Sequence, residues 1–132
     1  MLPRIERRMF QRAAIKWPVT IQTSQGFIEG KSRNLGAGGA YIYCDQTPKR
    51  DELIDLTIKP PDRPSLQITA EVLWEGKLVP SGIGVRFVEI SEDDCQFLYN
   101  VVSNHLKVSL DNLINILTLL TPTLEKSALL LD

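Results

Sequence analysis

Leu66-Gln67-Ile68-Thr69-Ala70-Glu71-Val72-Leu73-Trp74 is the stretch whose pattern decides the fold. Leu66, Ile68, Ala70, Val72 and Trp74 recur at every second position against Gln67, Thr69 and Glu71, and that period belongs to a strand with one buried face. As the last member of the inward stripe, Trp74 is expected to pack in the core at the strand's end. An indole has two faces, so it can also present one of them to a planar ligand.

Working outward, residues 17–24 and 27–33 flank the Gln25-Gly26 turn and predict a hairpin. Pro18 sits near the first strand's start, where a missing donor is tolerated. Residues 40–44 come next. Residues 52–59 then alternate Ile54, Leu56 and Ile58 with polar neighbours, until Pro60, Pro61 and Pro64 end the run. Ile83, Val85 and Phe87 make the last strand. Six short strands with turn residues at regular spacing predict a mainly β fold, a small six-stranded antiparallel barrel.

After Ser91 the period becomes helical: Leu98, Val101, Val102 and Leu106 give the spacing of an amphipathic helix that covers an open side of the barrel. Glu92, Asp93 and Asp94 follow Ser91 as a capped helix start, where acids meet the positive end of the helix dipole. From Ser109, the side chains Leu110, Leu113, Ile114, Ile116, Leu117, Leu119 and Leu120 crowd into a span that Pro122 is expected to end. With Asp111, Asn112 and Asn115 inside it, the span is too short and interrupted to cross a bilayer. It is also too apolar to be buried on a filled barrel, which predicts a homo-oligomer or a partner-binding helix. The expected organisation is a flexible arginine-rich leader (1–16), a barrel with its packing helix (17–106) and a C-terminal helical extension (107–132).

With 15 Lys plus Arg against 16 Asp plus Glu, the 132-residue chain has a net charge of -1, so no polycation argues for a nucleic-acid polymer. The charge is uneven. Arg4, Arg7, Arg8, Arg12 and Lys16 lie before residue 17 with Glu6 as the one acid, whereas acids dominate from Glu89 onward. Phe10 and Trp17 alone interleave that basic end, too few for an extended strand of nucleic acid or a lipid surface. Cys44 and Cys95 are far apart, and no signal peptide precedes the arginine cluster, so free thiols and a cytoplasmic location are expected. His105 stands without a Cys or acidic cluster at ligand spacing and predicts no metal site. No cofactor motif, nucleophile–base pair or isolated carboxylate pair stands out, so the chain is not expected to be an enzyme.

Two motifs remain. Arg7-Arg8-Met9-Phe10-Gln11-Arg12 packs three guanidinium groups into six residues, and Asn34-Leu35-Gly36-Ala37-Gly38-Gly39 follows about two strands later. Guanidinium is a permanently charged planar fork that binds phosphate bidentately and stacks on a base. Asn offers a purine edge both a donor and an acceptor, and the glycines let the backbone approach a ligand and take positive φ.

Together these motifs resemble the PilZ domain, a bacterial receptor for cyclic di-GMP. Its pattern is Arg-x3-Arg, then Asp or Asn-x-Ser-x2-Gly; Arg8, Arg12, Asn34 and Gly39 fall on it, while Gly36 stands where the family has Ser. Ala70-Glu71-Val72-Leu73-Trp74 and Gly82-Ile83-Gly84-Val85-Arg86-Phe87 are similar to the family's fifth and closing strands. The resemblance implies a PilZ-like barrel with C-terminal α-helices, with cyclic di-GMP held by Arg8 and Arg12 on phosphate and guanine and Asn34 on a guanine edge. Gly39 would give backbone approach and Trp74 a further contact. Arg7, directly before the first motif arginine, implies two stacked ligands per chain. In this scheme the leader folds over the ligand and relays its level to a protein partner of unknown identity. Gly36 supports an alternative, a degenerate module that binds no nucleotide and acts as an adaptor; restoring Ser there is otherwise expected to tighten binding.

Overall fold

The computed structural model describes residues 11–131, with side chains through Leu120. Among the described residues, seven strands and one helix follow in order: β1 (Arg12–Ala13), β2 (Pro18–Thr23), β3 (Gly26–Gly36), β4 (Gly39–Cys44), β5 (Leu53–Ile58), β6 (Leu66–Gly76), β7 (Gly82–Glu89) and α1 (Glu92–Leu131). The sheet runs β1-β3-β2-β5-β6-β7-β4 and closes through β3–β4. It is a six-stranded antiparallel barrel with β1 added outside the closure, and every strand expected from the period-two pattern is present. The chain forms two compact units, one ending at Val102 and one beginning at Ser103.

Alternation fills the barrel. Val19 and Ile21 of β2, Ile54, Leu56 and Ile58 of β5, Leu66, Ile68, Ala70 and Val72 of β6, and Ile83 and Val85 of β7 are all buried. The leader meets the barrel from Arg12 on, since β1 pairs with Leu35 and Gly36, and Ala13 and Ile15 are buried. Ser32, fully buried, pins this entry: its hydroxyl donates to the Ile15 carbonyl (2.6 Å) and accepts from the Trp17 amide (2.9 Å).

The first turns of α1 dock on the barrel. The Ser91 hydroxyl caps the helix by accepting from the Asp94 amide at 3.1 Å, and Leu98 and Val102 are buried. Phe97 is sandwiched between the Trp17 ring, stacked at 6.1 Å, and the Arg63 guanidinium 4.1 Å away, which also pairs with Asp94 at 3.3 Å. The expected stop at Pro122 does not occur, and one continuous helix runs to Leu131. Proline removes one donor to the carbonyl four residues back and leaves the bonds of neighbouring turns in place. Among the described residues, no helix is long and apolar enough to cross a membrane.

Candidate functional site

Strict alternation would put Asn34 on the same side as buried Ser32, and Trp74 on the same side as buried Val72. Neither happens. The β3–β4 register shifts between Ser32 and Asn34, and the β6–β7 register shifts between Val72 and Trp74. A bulge inserts one residue and turns the following side chains to the other face. Both residues therefore reach the outer wall of the barrel, and Trp74 is 49% exposed instead of sitting in the core.

On that wall the ladder aligns a row across four strands, with Asn34 opposite Tyr41, Tyr41 opposite Gly84, and Gly84 opposite Trp74. The adjacent row holds Arg12 opposite Gly36, then Gly39 opposite Arg86 and Arg86 opposite Glu71. Arg12, Asn34, Gly36, Gly39 and Trp74 thus come to one surface from distant parts of the chain. Arg7 and Arg8 lie outside the described residues.

Arg12 is the charged centre. Its Nη1 donates to Asn34 Oδ1 at 3.4 Å and its Nη2 to the Val85 carbonyl at 3.5 Å, both at the long end for hydrogen bonds. Partial burial lowers the pKa of its guanidinium, yet arginine stays ionised at any physiological pH. The residue as a whole is exposed and its described partners are neutral, so a positive charge sits on the wall beside acceptors that do not neutralise it. Asn34 Oδ1 also accepts from the Tyr41 amide at 3.1 Å, which leaves its Nδ2 end to donate to a ligand.

The glycines serve close approach. Neither Gly36 nor Gly39 has positive φ; both lie in strands. A Cβ on Gly39 would run into the Val85 carbonyl and lie 2.7 Å from Arg12 Nη2, and one on Gly36 would lie 2.6 Å from the Gln11 carbonyl oxygen. The Arg12 side chain crosses the wall at Gly39, and the backbone of the leader crosses it at Gly36. Adding the family's Ser at 36 therefore requires the Gln11 backbone just before β1 to move.

Sequence reasoning missed an aromatic stack. Tyr41, 6% exposed, lies flat on Trp74 with ring centroids 5.0 Å apart and 23° between planes. Tyr43 meets Tyr41 edge-on at 5.5 Å, and the Arg33 guanidinium sits 5.5 Å from the Tyr41 centroid. Gly82 and Gly84 make this possible, since a Cβ on Gly82 would lie 2.7 Å from the Tyr41 hydroxyl and one on Gly84 would strike the Trp74 indole. Arg86, paired with Glu71 at 3.4 Å, was also missed. The signal was the complement of the inward set in the last strand: once Ile83, Val85 and Phe87 face in, Gly82, Gly84 and Arg86 face out.

Nothing else described competes as a reaction centre. A cavity of about 1080 Å³ beside the start of α1 is lined by Phe87, Glu89, Glu92, Cys95 and Tyr99 among others, and does not include Arg12, Asn34 or Trp74. Burial pushes the Cys44 thiol up to about 11, with Asp45 adding to it, and burial also raises Cys95. Neither thiol is activated as a nucleophile. Among the described residues, no group of His, Cys, Asp and Glu is placed to hold a metal ion.

A closed six-stranded barrel with an added strand, carrying an arginine, an asparagine and close-packed glycines on its outer wall, defines a small β-barrel binding domain. The PilZ domain model matches residues 6–103, and the chain belongs to the PilZ domain family, whose members are binding domains. Solved structures agree in fold. The inhibitor of motility MotI/DgrA of Bacillus subtilis is similar at a TM-score of 0.65 and 22% identity, covering 84% of this chain and 57% of that one. YcgR from Escherichia coli, solved in complex with c-di-GMP, is similar at 0.68 and 10%, covering 83% and 50%. The PilZ domain of CeSA from a cellulose-synthesizing bacterium is similar at 0.57 and 14%, covering 71% and 96%. The chain spans between half and three-fifths of the length of the first two. No curated protein matches its sequence.

Proposed function

We propose that this chain is a cyclic di-GMP receptor that couples the second messenger to a protein partner without performing chemistry. The observation that carries the reading is Arg12, an exposed arginine laid across the wall whose described partners are neutral. A phosphate is the partner it lacks, and a charge-assisted bond to one is about twice as strong as a neutral bond. Arg8 joins Arg12 on phosphate and guanine, Asn34 Nδ2 addresses a guanine edge, and Gly39 keeps the wall low enough for contact. Arg7 admits a second, stacked ligand. The leader closes over the nucleotide, and its ordering is what a partner reads. The family, the fold and the c-di-GMP held by YcgR support this assignment. The protein acts in the cytoplasm and self-associates through the apolar residues 109–120 of α1.

Trp74 provides the test. In a Trp17→Phe chain, which keeps a ring against Phe97 and leaves Trp74 as the only indole, added cyclic di-GMP should quench the emission saturably. Emission that is unchanged at high micromolar ligand would leave the adaptor reading, in which the wall binds no nucleotide.

A further inference from the structure

From Leu106 onward α1 carries a leucine at every heptad interval, with Leu106, Leu110, Leu113, Leu117 and Leu120 spaced four, three, four and three apart. That alternation averages 3.5 residues, the repeat that keeps one seam of a helix facing other helices along its length. With Leu110 and Leu117 at a, and Leu106, Leu113 and Leu120 at d, Ile114 falls at e and Ile116 at g. Polar residues take the other side: Asp111 and Thr118 at b, Asn112 at c, Asn115 at f. Thr118 satisfies its own hydroxyl there by donating to the Ile114 carbonyl at 2.8 Å.

The seam is wide. At 3.6 residues per turn, positions g, d, a and e subtend an apolar arc of about 160°, more than the a/d line that a two-stranded coiled coil covers. Leu110, Leu113, Ile114, Ile116 and Leu120 are each about half exposed along it in the single chain. Within residues 106–120 the only charge at e or g is Lys107, at the start of the segment, and from 109 to 120 neither position is charged, so identical helices meet along those leucine layers without like-charge repulsion. A surface of leucine layers at constant spacing is complementary to itself, which favours copies of this chain over an unlike partner.

We propose that residues 106–120 of α1 assemble with the same segment of further copies into a leucine-layered bundle of more than two helices. The proposal rests on the self-association suggested above and specifies its register; it does not depend on nucleotide binding. The 132-residue chain should sediment at tens of micromolar with the mass of three or four copies. Leu113→Lys, on the seam, should shift that mass to the monomer. Leu119→Lys, at c and the most exposed apolar residue of the segment at 81%, should leave it unchanged. Lysine is as good a helix former as leucine, so circular dichroism should report equal helix content, and Leu110→Lys repeats the seam test if Leu113→Lys does not fold. A wild-type monomer would overturn both the register and the self-association. A wild-type dimer, or an assembly that Leu119→Lys dissolves as completely as Leu113→Lys, would overturn the bundle and leave non-specific or pairwise association standing. Cyclic di-GMP titrations of the same variants read the nucleotide site separately.

Discussion

Ser32 and Gly36 show how much one side chain, or the lack of one, decides here. The Ser32 hydroxyl satisfies a buried carbonyl and a part-buried amide at once. Removing it leaves both without a partner at a cost of about 2–3 kcal/mol. Ser32→Ala should therefore melt about 10 °C or more below the parent, by the usual conversion for a domain of this size; an unchanged melting temperature would mean that water replaces the hydroxyl. At Gly36 the argument is steric. Its missing Cβ is what lets the Gln11 carbonyl lie against β3, so Gly36→Ser should displace β1 and cost about 1 kcal/mol, the size of a typical destabilising substitution. A melting temperature equal to or above the parent's would show that β1 adjusts without loss.

At the scale of the element, the strands were legible and the irregularities were not. Period-two alternation exposes β5 to β7 because burial on one face constrains every second residue, and the Gln25-Gly26 turn marks β2 and β3. A strand of two residues such as β1 has no period to detect. Bulges are equally silent in a single sequence, since one extra residue changes no composition while it reverses a face, and that is why the stripe places Trp74 in the core with one indole face left for a ligand and does not reveal the Tyr41–Trp74 stack. The motif residues Arg12, Asn34 and Gly39 were legible as a set, but the structure gives the glycines a different role: Gly36 and Gly39 make room for the Gln11 backbone and the Arg12 side chain, and neither takes positive φ. Gly82 and Gly84 tell the same story, as spaces reserved for rings. Gly84→Ala would place a methyl against Trp74 Cε2 and Cδ1, 2.6 and 2.9 Å from the ideal Cβ. The ring can swing outward, so the fold should survive with a loss of about 1 kcal/mol from the broken stack, while Trp74 emission moves to the red. Emission at the parent wavelength would show that the stack re-forms over the added methyl.

For the whole molecule, the barrel supplies a rigid wall and the leader supplies the charge that meets it. Six strands closed on themselves leave no edge to deform, so under the proposed clasp the binding free energy would go into the leader and not into reshaping the barrel. The arginines should dominate the affinity for that reason, since each contributes charge-assisted bonds worth about 1.5–3 kcal/mol against about 1 kcal/mol for a neutral bond from Asn34. Calorimetric titration of cyclic di-GMP into the parent chain, Arg12→Ala and Asn34→Ala tests this directly. The parent should bind in the submicromolar to tens-of-micromolar range, a total of about 6–9 kcal/mol. Arg12→Ala should weaken it by roughly ten- to a hundredfold, and Asn34→Ala by less. No heat from the parent at high micromolar ligand, or an Arg12→Ala protein that binds as tightly as the parent, would contradict the account.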